Sequence, residues 1–206
     1  MSKKQALTEF HRGSILAAAE RLFAEKGTER TTRDDIAREA EYSKATLYVY
    51  FQSKVEIINA ILLSGMVLLK KKIHEAIESQ PDWLPAYDAV CAAIIRFYDD
   101  NPTAFDAATG GICLEEEDAK GVTEILRVSK EIDEELAAFL ERGTASGVVR
   151  PDLPPMETVL LFWAALGGIV RASSSRTGHI KALSGLDREA YLQRGSRFLL
   201  GCVVKT

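Results

Sequence analysis

The segment Thr31–Lys54, TTRDDIAREAEYSKATLYVYFQSK, constrains the fold more than any other stretch of the chain. It sets two short helix patterns around a tight turn and starts a third helix at once. In the first pattern Ile36, Ala37 and Ala40 share a face, and Thr32 stands three residues before Asp35. That spacing predicts a capping box, in which hydroxyl and carboxylate each satisfy an amide that the helix start leaves free. Ser43 opens the second helix, with Leu47 and Phe51 on its apolar side and Lys44, Thr46 and Tyr48 outward. Ser53 and Glu56 repeat the capping box for the third. Two helices joined by a tight turn, the second studded with hydroxyls and a lysine, form a helix-turn-helix, a shape that lays one helix in the DNA major groove.

The remaining sequence is helical in pattern throughout. Gly13–Lys26 places Ile15, Ala18, Ala19, Leu22 and Phe23 at helical spacing and ends at Gly27. A long helix is expected from Ser53 to about Ser79, with Val55, Ile58, Ile61, Leu62, Met66, Leu69 and Ile73 as its apolar stripe, stopped by Pro81. Further helices are expected over Tyr87–Asp100, Thr103–Thr109 (ending at Gly110-Gly111), Gly121–Arg142, Met156–Ser173 and Arg188–Val203. In Gly121–Arg142 the inward set is Val122, Ile125, Leu126, Ile132, Leu136, Phe139 and Leu140. No strand alternation or repeat interrupts this. The expected fold is all-α, about nine helices, with a DNA-binding domain over 1–54 and a second helical domain over 55–206.

Charge divides the chain at the same place. Residues 1–54 carry 10 Lys+Arg against 8 Asp+Glu, and residues 55–206 carry 16 against 22. A mildly positive head on an acidic body suits a DNA-binding module attached to something that avoids DNA. Cys91, Cys113 and Cys202 are too few and too far apart for a disulfide framework or a zinc site. No signal-peptide core appears, and the longest apolar runs, Ile57–Leu69 and Val159–Val170, are short and interrupted, so no membrane span is expected. These features point to a soluble protein of a reducing, cytoplasmic setting.

The head resembles the tetracycline-repressor (TetR) family of transcriptional regulators. Ala18, Leu22, Phe23, Gly27, Thr32, Asp35, Ile36, Ala37 and Ala40 carry the likeness, followed by Ser43, Thr46, Leu47, Tyr48, Tyr50, Phe51 and Lys54. The chain departs from that family's pattern at four places. Glu41 and Ala45 stand where glycines are usual, Tyr42 where a small apolar residue is usual, and Thr28 where an aromatic is usual. The C-terminal stretch FLERGTASGVVRPDLPPMETVLLFWAALGGIVRA resembles the loop and penultimate helix that the family uses to dimerise. The resemblance implies a small DNA-binding domain on a helical ligand-binding and dimerisation domain.

Candidate DNA-contacting residues are Thr32, Arg33, Ser43, Lys44, Ala45, Thr46, Tyr48, Tyr50 and Lys54. Lysine donates to guanine acceptors, threonine touches polar edges or a methyl, and the Ala45 methyl can meet a thymine methyl. Of Tyr48 and Tyr50, one phenol is expected on a phosphate and the other ring in the small core. Lys54 lies at a helix N-terminus, where free amides already favour an anion. Thr32 and Arg33 add phosphate contacts, which position the protein while base contacts specify sequence.

In the body, Met66, Trp83, Tyr87, Tyr98, Phe105, Phe139, Phe162 and Trp163 are candidate lining for a small-molecule cavity, although the same spacing also serves plain core. Glycines 167 and 168 inside an apolar helix cost about 1 kcal/mol each against alanine. Close approach of another helix explains them, and Met156–Ser173 with Arg188–Val203 are expected to form a two-fold homodimer interface. Glu115–Asp118 (EEED) reads as a solvated acidic loop, and no metal or cofactor is expected. The function expected is a homodimeric, ligand-responsive repressor released from a near-palindromic DNA operator. An all-helical enzyme, or redox control through Cys91 or Cys113, are the alternatives.

Overall fold

The computed structural model describes residues 2–106 and 119–205. Among them are ten helical segments: α1 Lys3–Lys26, α2 Arg33–Glu39, α3 Lys44–Tyr50, α4 Lys54–Glu78, α5 Trp83–Asp100, α6 Pro102–Asp106, α7 Ala119–Ala145, α8 Pro155–Ser175, α9 Thr177–Ser184 and α10 Arg188–Val203. The only extended pairing among the described residues is an isolated antiparallel bridge between Val149 and Val204. The fold is all-α, as the periodicity implies. Contacts divide the chain into two compact units, Met1–Met66 with Thr103–Arg127, and Val67–Pro102 with Val128–Thr206.

The first unit is organised by a small core of Ile15, Ala19, Phe23, Ile36, Ala37, Leu47, Phe51, Ile57 and Ile61. α1 is ten residues longer at its start than the apolar pattern predicts. Ser2 and Gln5 form a reciprocal capping box, so the helix begins on polar residues with nothing buried until Ile15. The Thr32–Asp35 capping box forms as expected, with Thr32 N–H donating to Asp35 Oδ2 at 3.0 Å and Asp35 N–H to Thr32 Oγ1 at 3.1 Å. At α4 the box is shifted: Glu56 N–H donates to Ser53 Oγ, whereas the Glu56 carboxylate accepts from the amide of Gln52.

In the second unit, Trp83 lies stacked between Phe139 (centroids 4.9 Å apart) and Tyr87 (5.6 Å). Its indole N–H donates to the Phe139 carbonyl at 2.8 Å. α5 begins at Trp83, four residues before the expected Tyr87, because Pro85 sits in the first turn, where a missing amide costs nothing. Leu126 of α7 is exposed, contrary to expectation, and Val128 is buried. The buried stripe is Ile125, Val128, Ile132, Leu136 and Phe139, and Leu126 lies off it. α9 carries no buried residue, so no apolar stripe could announce it. Residues 107–118, with Thr109, Gly110-Gly111, Cys113 and the EEED run, lie outside the described residues.

α8 packs along α10, and the tight point is Gly195 of α10. A Cβ there would lie 2.7 Å from Ile169 Cγ2, while one on Gly168 would meet open space. The close approach to α10 thus falls at Gly195, and not at Gly168 of the pair that the sequence singles out. α8 is also long and apolar enough to cross a bilayer by length and composition alone, although its apolar runs are interrupted. That property weighs little, since a helix that packs in a globular protein meets the same criterion.

Gly143 marks the most demanding packing in the second unit. A Cβ would sit 2.5 Å from Val149 Cγ2 and 2.6 Å from the Trp83 indole nitrogen. Gly143→Ala is expected to lower stability by about 1–3 kcal/mol, the usual cost of overpacking. Chemical denaturation would read this as a lower midpoint at unchanged slope, and an unchanged midpoint would contradict it.

Candidate nucleic-acid interface

The turn between α2 and α3 is a Schellman closure. Tyr42 N–H donates to the Ala37 carbonyl at 2.9 Å, and Glu41 N–H to the Arg38 carbonyl at 3.1 Å. The motif requires a left-handed residue, and Glu41 takes it with φ of 60°. This is the turn position where the family resemblance expects glycine, and the geometry gives the reason: only glycine adopts that backbone without a steric penalty.

The seven residues of α3 are anchored by Leu47 and, at the C-cap, Phe51, both fully buried. Their burial turns the opposite side outward. Ser43, Lys44, Ala45 and Val49 are exposed, and Thr46, Tyr48 and Tyr50 half-buried. Ser43 Oγ accepts from Thr46 N–H at 3.0 Å, which caps the helix and leaves its first turn facing solvent. Val49 is 74% exposed and was not among the sequence candidates. It lies four residues after Ala45, so helical spacing alone puts the two apolar groups on one outward face.

Each candidate cation has an intramolecular partner. Lys44 Nζ pairs with Asp34 of α2 at 2.9 Å, and that carboxylate raises the lysine's pKa. The Arg33 guanidinium covers the Tyr48 ring at 4.5 Å and donates to the Gln52 carbonyl at 2.6 Å. Lys54, half-buried, donates to the carbonyls of Thr28 (3.1 Å) and Thr31 (3.4 Å), tying down the loop before α2. Thr32 is exposed and occupied in its capping box. Tyr50 packs its ring against the small core, so of the two tyrosines Tyr48 has the more outward position. Thr32, Arg33, Lys44 and Tyr48 are thereby linked to one another or to neighbouring residues of α2 and α3. Asp34, which sequence reasoning passed over, is the acid among them.

The second unit encloses an apolar cavity of about 40 Å³, lined by residues that include Tyr87, Phe139, Phe162, Leu136, Val159 and Leu199. Its one hydroxyl-bearing aromatic is already engaged, since Tyr87 donates to the Ser196 carbonyl at 2.9 Å. Trp83 stacks behind this lining. Trp163 donates to Asp133 at 3.0 Å, and Tyr98 is half-buried on α5; neither lines the cavity. Met66 and Phe105 are buried residues of the first unit. The eight sequence candidates therefore separate, and three of them meet in one cavity. Among the described residues no three His, Cys, Asp or Glu side chains converge as a metal site. His74 bonds Glu135 rather than Glu78.

Residues 15–61 match the model of a family described as bacterial regulatory proteins, tetR family. The chain is 26% identical over 153 residues to the uncharacterized HTH-type transcriptional regulator YhgD of Bacillus subtilis, covering 72% of this chain and 76% of that one. It is 28% identical over 148 residues to the HTH-type transcriptional repressor KstR2 of Rhodococcus jostii, 69% of each. Among solved structures, the fatty acid degradation regulator FadR from Bacillus halodurans superposes with a TM-score of 0.72 at 18% identity, over 93% of this chain and 95% of that one. The relatives are transcriptional regulators, and the fold is theirs.

Two stability measurements probe the geometry of this unit. Replacing Glu41 by glycine removes the left-handed strain and is expected to stabilise by roughly 0.5–1 kcal/mol after glycine's own entropic cost. A thermal midpoint that does not rise would argue against strain at the turn. The Thr32 amide, then the Thr32 hydroxyl and Lys26, hold the Asp35 carboxyl well below its ordinary value of 3.8. A carboxyl depressed on folding stabilises the protein at pH above its unfolded value and loses that contribution as pH falls toward the folded one. Asp35→Asn should therefore lower stability at neutral pH and flatten the acid limb between about pH 5 and pH 2, as read by unfolding at several pH values.

Proposed function

We propose, on the premise that this chain is a DNA-binding transcriptional regulator of the TetR family, that it acts as a homodimeric repressor released from a near-palindromic operator by a small molecule. The outward side of α3 carries the DNA part of this proposal. Lys44, Ala45, Thr46, Tyr48 and Val49 stand on a helix whose other side is locked by Leu47 and Phe51, the arrangement a recognition helix needs. Lys44 and Thr46 read base edges, with the Ala45 and Val49 methyls against thymine methyls. Thr32, Arg33, Ser43, Tyr48 and Lys54 contact the phosphates, exchanging present partners such as the Thr28 carbonyl or the Tyr48 ring for DNA, while Tyr50 stays packed on the small core.

Self-association is supported by the surface of α8 and α10. Leu160 and Leu161 of α8 and Phe198 of α10 are 56%, 71% and 71% exposed, and the Gly168 face is open. A second copy seated there buries apolar groups that otherwise face water, and two copies related by a two-fold axis read two half-sites an integral number of helical turns apart. The repressor sign follows KstR2, which is named a repressor.

The cavity of the second unit takes an apolar effector, in keeping with its lining and with a structural relative named for fatty acid degradation. At about 40 Å³ it must open to admit one. A ligand that binds the opened conformer better shifts the protein toward it, and DNA is released if that conformer spaces the two heads wrongly. The protein works in the cytoplasm, where its DNA is. Redox control finds no support at Cys91, a buried thiol pushed up to about 11 by desolvation and so kept protonated. Among the described residues no converging set of titratable groups favours an enzyme.

The decisive experiment is fluorescence anisotropy at fixed salt with duplexes from the region upstream of the chain's own reading frame. Lys44→Ala and Tyr48→Ala are each expected to weaken binding by roughly 5- to 30-fold. Asp34→Asn, which frees Lys44, strengthens it. Unchanged affinity in both alanine variants would remove α3 as the contact surface.

A further inference from the structure

We infer that His11 and Arg12 of α1 are positioning residues for DNA recognition, a clamp that holds α3 at both ends. The inference rests on reading α3 as the DNA-contacting helix. His11 Nδ1 hydrogen-bonds the Tyr42 hydroxyl at 2.6 Å, and the two rings meet edge-on with centroids 5.4 Å apart. Tyr42 directly precedes Ser43, the N-cap of α3. The neighbouring Arg12 donates to the carbonyl of Tyr50, the last residue of α3, at 2.7 Å, and its guanidinium lies 4.1 Å from the centre of the Phe51 ring. One turn of α1 thus grips the residue before the helix and the residue that ends it.

The physical need is clear from the length of α3. Seven residues make about two turns and 10 Å of helix, too short to persist in water without tertiary support. Leu47 and Phe51 fix which side is buried, yet Leu47 is the middle residue of α3 and Phe51 its C-cap, so the first turn with Lys44 and Thr46 has no fully buried apolar side chain of its own. The His11–Tyr42 bond supplies the hold at that end. The Arg12 guanidinium satisfies a terminal carbonyl and sets a positive charge at the negative end of the helix dipole. Base contacts tolerate only a few tenths of an ångström in donor–acceptor distance, so a tilt of α3 costs specific binding before it costs folding. Tyr42 occupies a position where the family resemblance expects a small apolar residue, which makes the His11–Tyr42 bond a device of this particular sequence.

The test uses the full chain and two duplexes of about 30 base pairs, one selected from a random library by the wild-type protein and one a scramble of it. Arg12→Met and His11→Leu are expected to keep the helical circular-dichroism signal and a cooperative unfolding transition. They should lose roughly tenfold in affinity for the selected duplex, little for the scramble, and keep the salt dependence of binding. Arg12→Lys, and His11→Asn with its acceptor near the Nδ1 position, restore most of the loss. Tyr42→Phe should match His11→Leu, with no further loss in the double variant, since both remove one bond. A salt slope that falls by about one in Arg12→Met would mean that Arg12 itself holds a phosphate, and would overturn the clamp. Equal losses on both duplexes, no rescue by the conservative variants, or unchanged affinity for the selected duplex would overturn it too. A wild-type protein that selects no duplex sinks the DNA reading and the clamp together, whereas selection with unaffected variants sinks the clamp alone.

Discussion

Burial of Leu47 and Phe51 is the constraint on which the head of this protein depends. A seven-residue helix cannot hold itself, and these two fully buried side chains supply roughly 1.5–3 kcal/mol each of transfer free energy. Every outward residue of α3 owes its exposure to them. Lys44, Ala45 and Val49 face solvent because the opposite side is committed to a core shared with Ile15, Phe23, Ile36 and Ile57. The chain can present chemistry on so short a helix only because α1, α2 and the start of α4 close around its other side.

A second theme is that the cations of this surface are already partnered. Lys44 rests on Asp34, Arg33 on Tyr48 and Gln52, and Lys54 on two loop carbonyls. These exposed or half-exposed contacts are individually weak, so a polyanion can compete for them. They also hold the long side chains close to α3 before any partner arrives, which lowers the entropy lost on binding. The modest net charge of the head is thus compatible with DNA, since what matters is which charges can be released toward a phosphate.

The second unit separates two kinds of apolar surface. Inside, Trp83, Tyr87 and Phe139 stack into a tight group beside a cavity with room for no more than a few waters. Outside, α8 and α10 leave Leu161 and Phe198 to water. The first surface is closed into the core, whereas the second stands open to water. Gly143 and Gly195 make the packing possible, each by omitting a Cβ that a neighbour would occupy.

The sequence by itself determined the helical class, most helix positions, the capping box at Thr32–Asp35 and the helix-turn-helix, because these follow from local spacing and from hydrogen bonds between residues three or four apart. The family resemblance sets Glu41 apart as standing where glycine is usual, and the backbone there is left-handed. The tertiary structure alone decided what depends on distant partners. It formed α9 without an apolar stripe, and put Asp34 on Lys44 and His11 on Tyr42. It also brought three of the eight candidate lining residues, Tyr87, Phe139 and Phe162, into one cavity. Periodicity records which side of a helix is apolar, whereas the residues that meet across 31 or 56 positions of chain, as His11 and Tyr42 or Trp83 and Phe139 do, are fixed only when the helices pack.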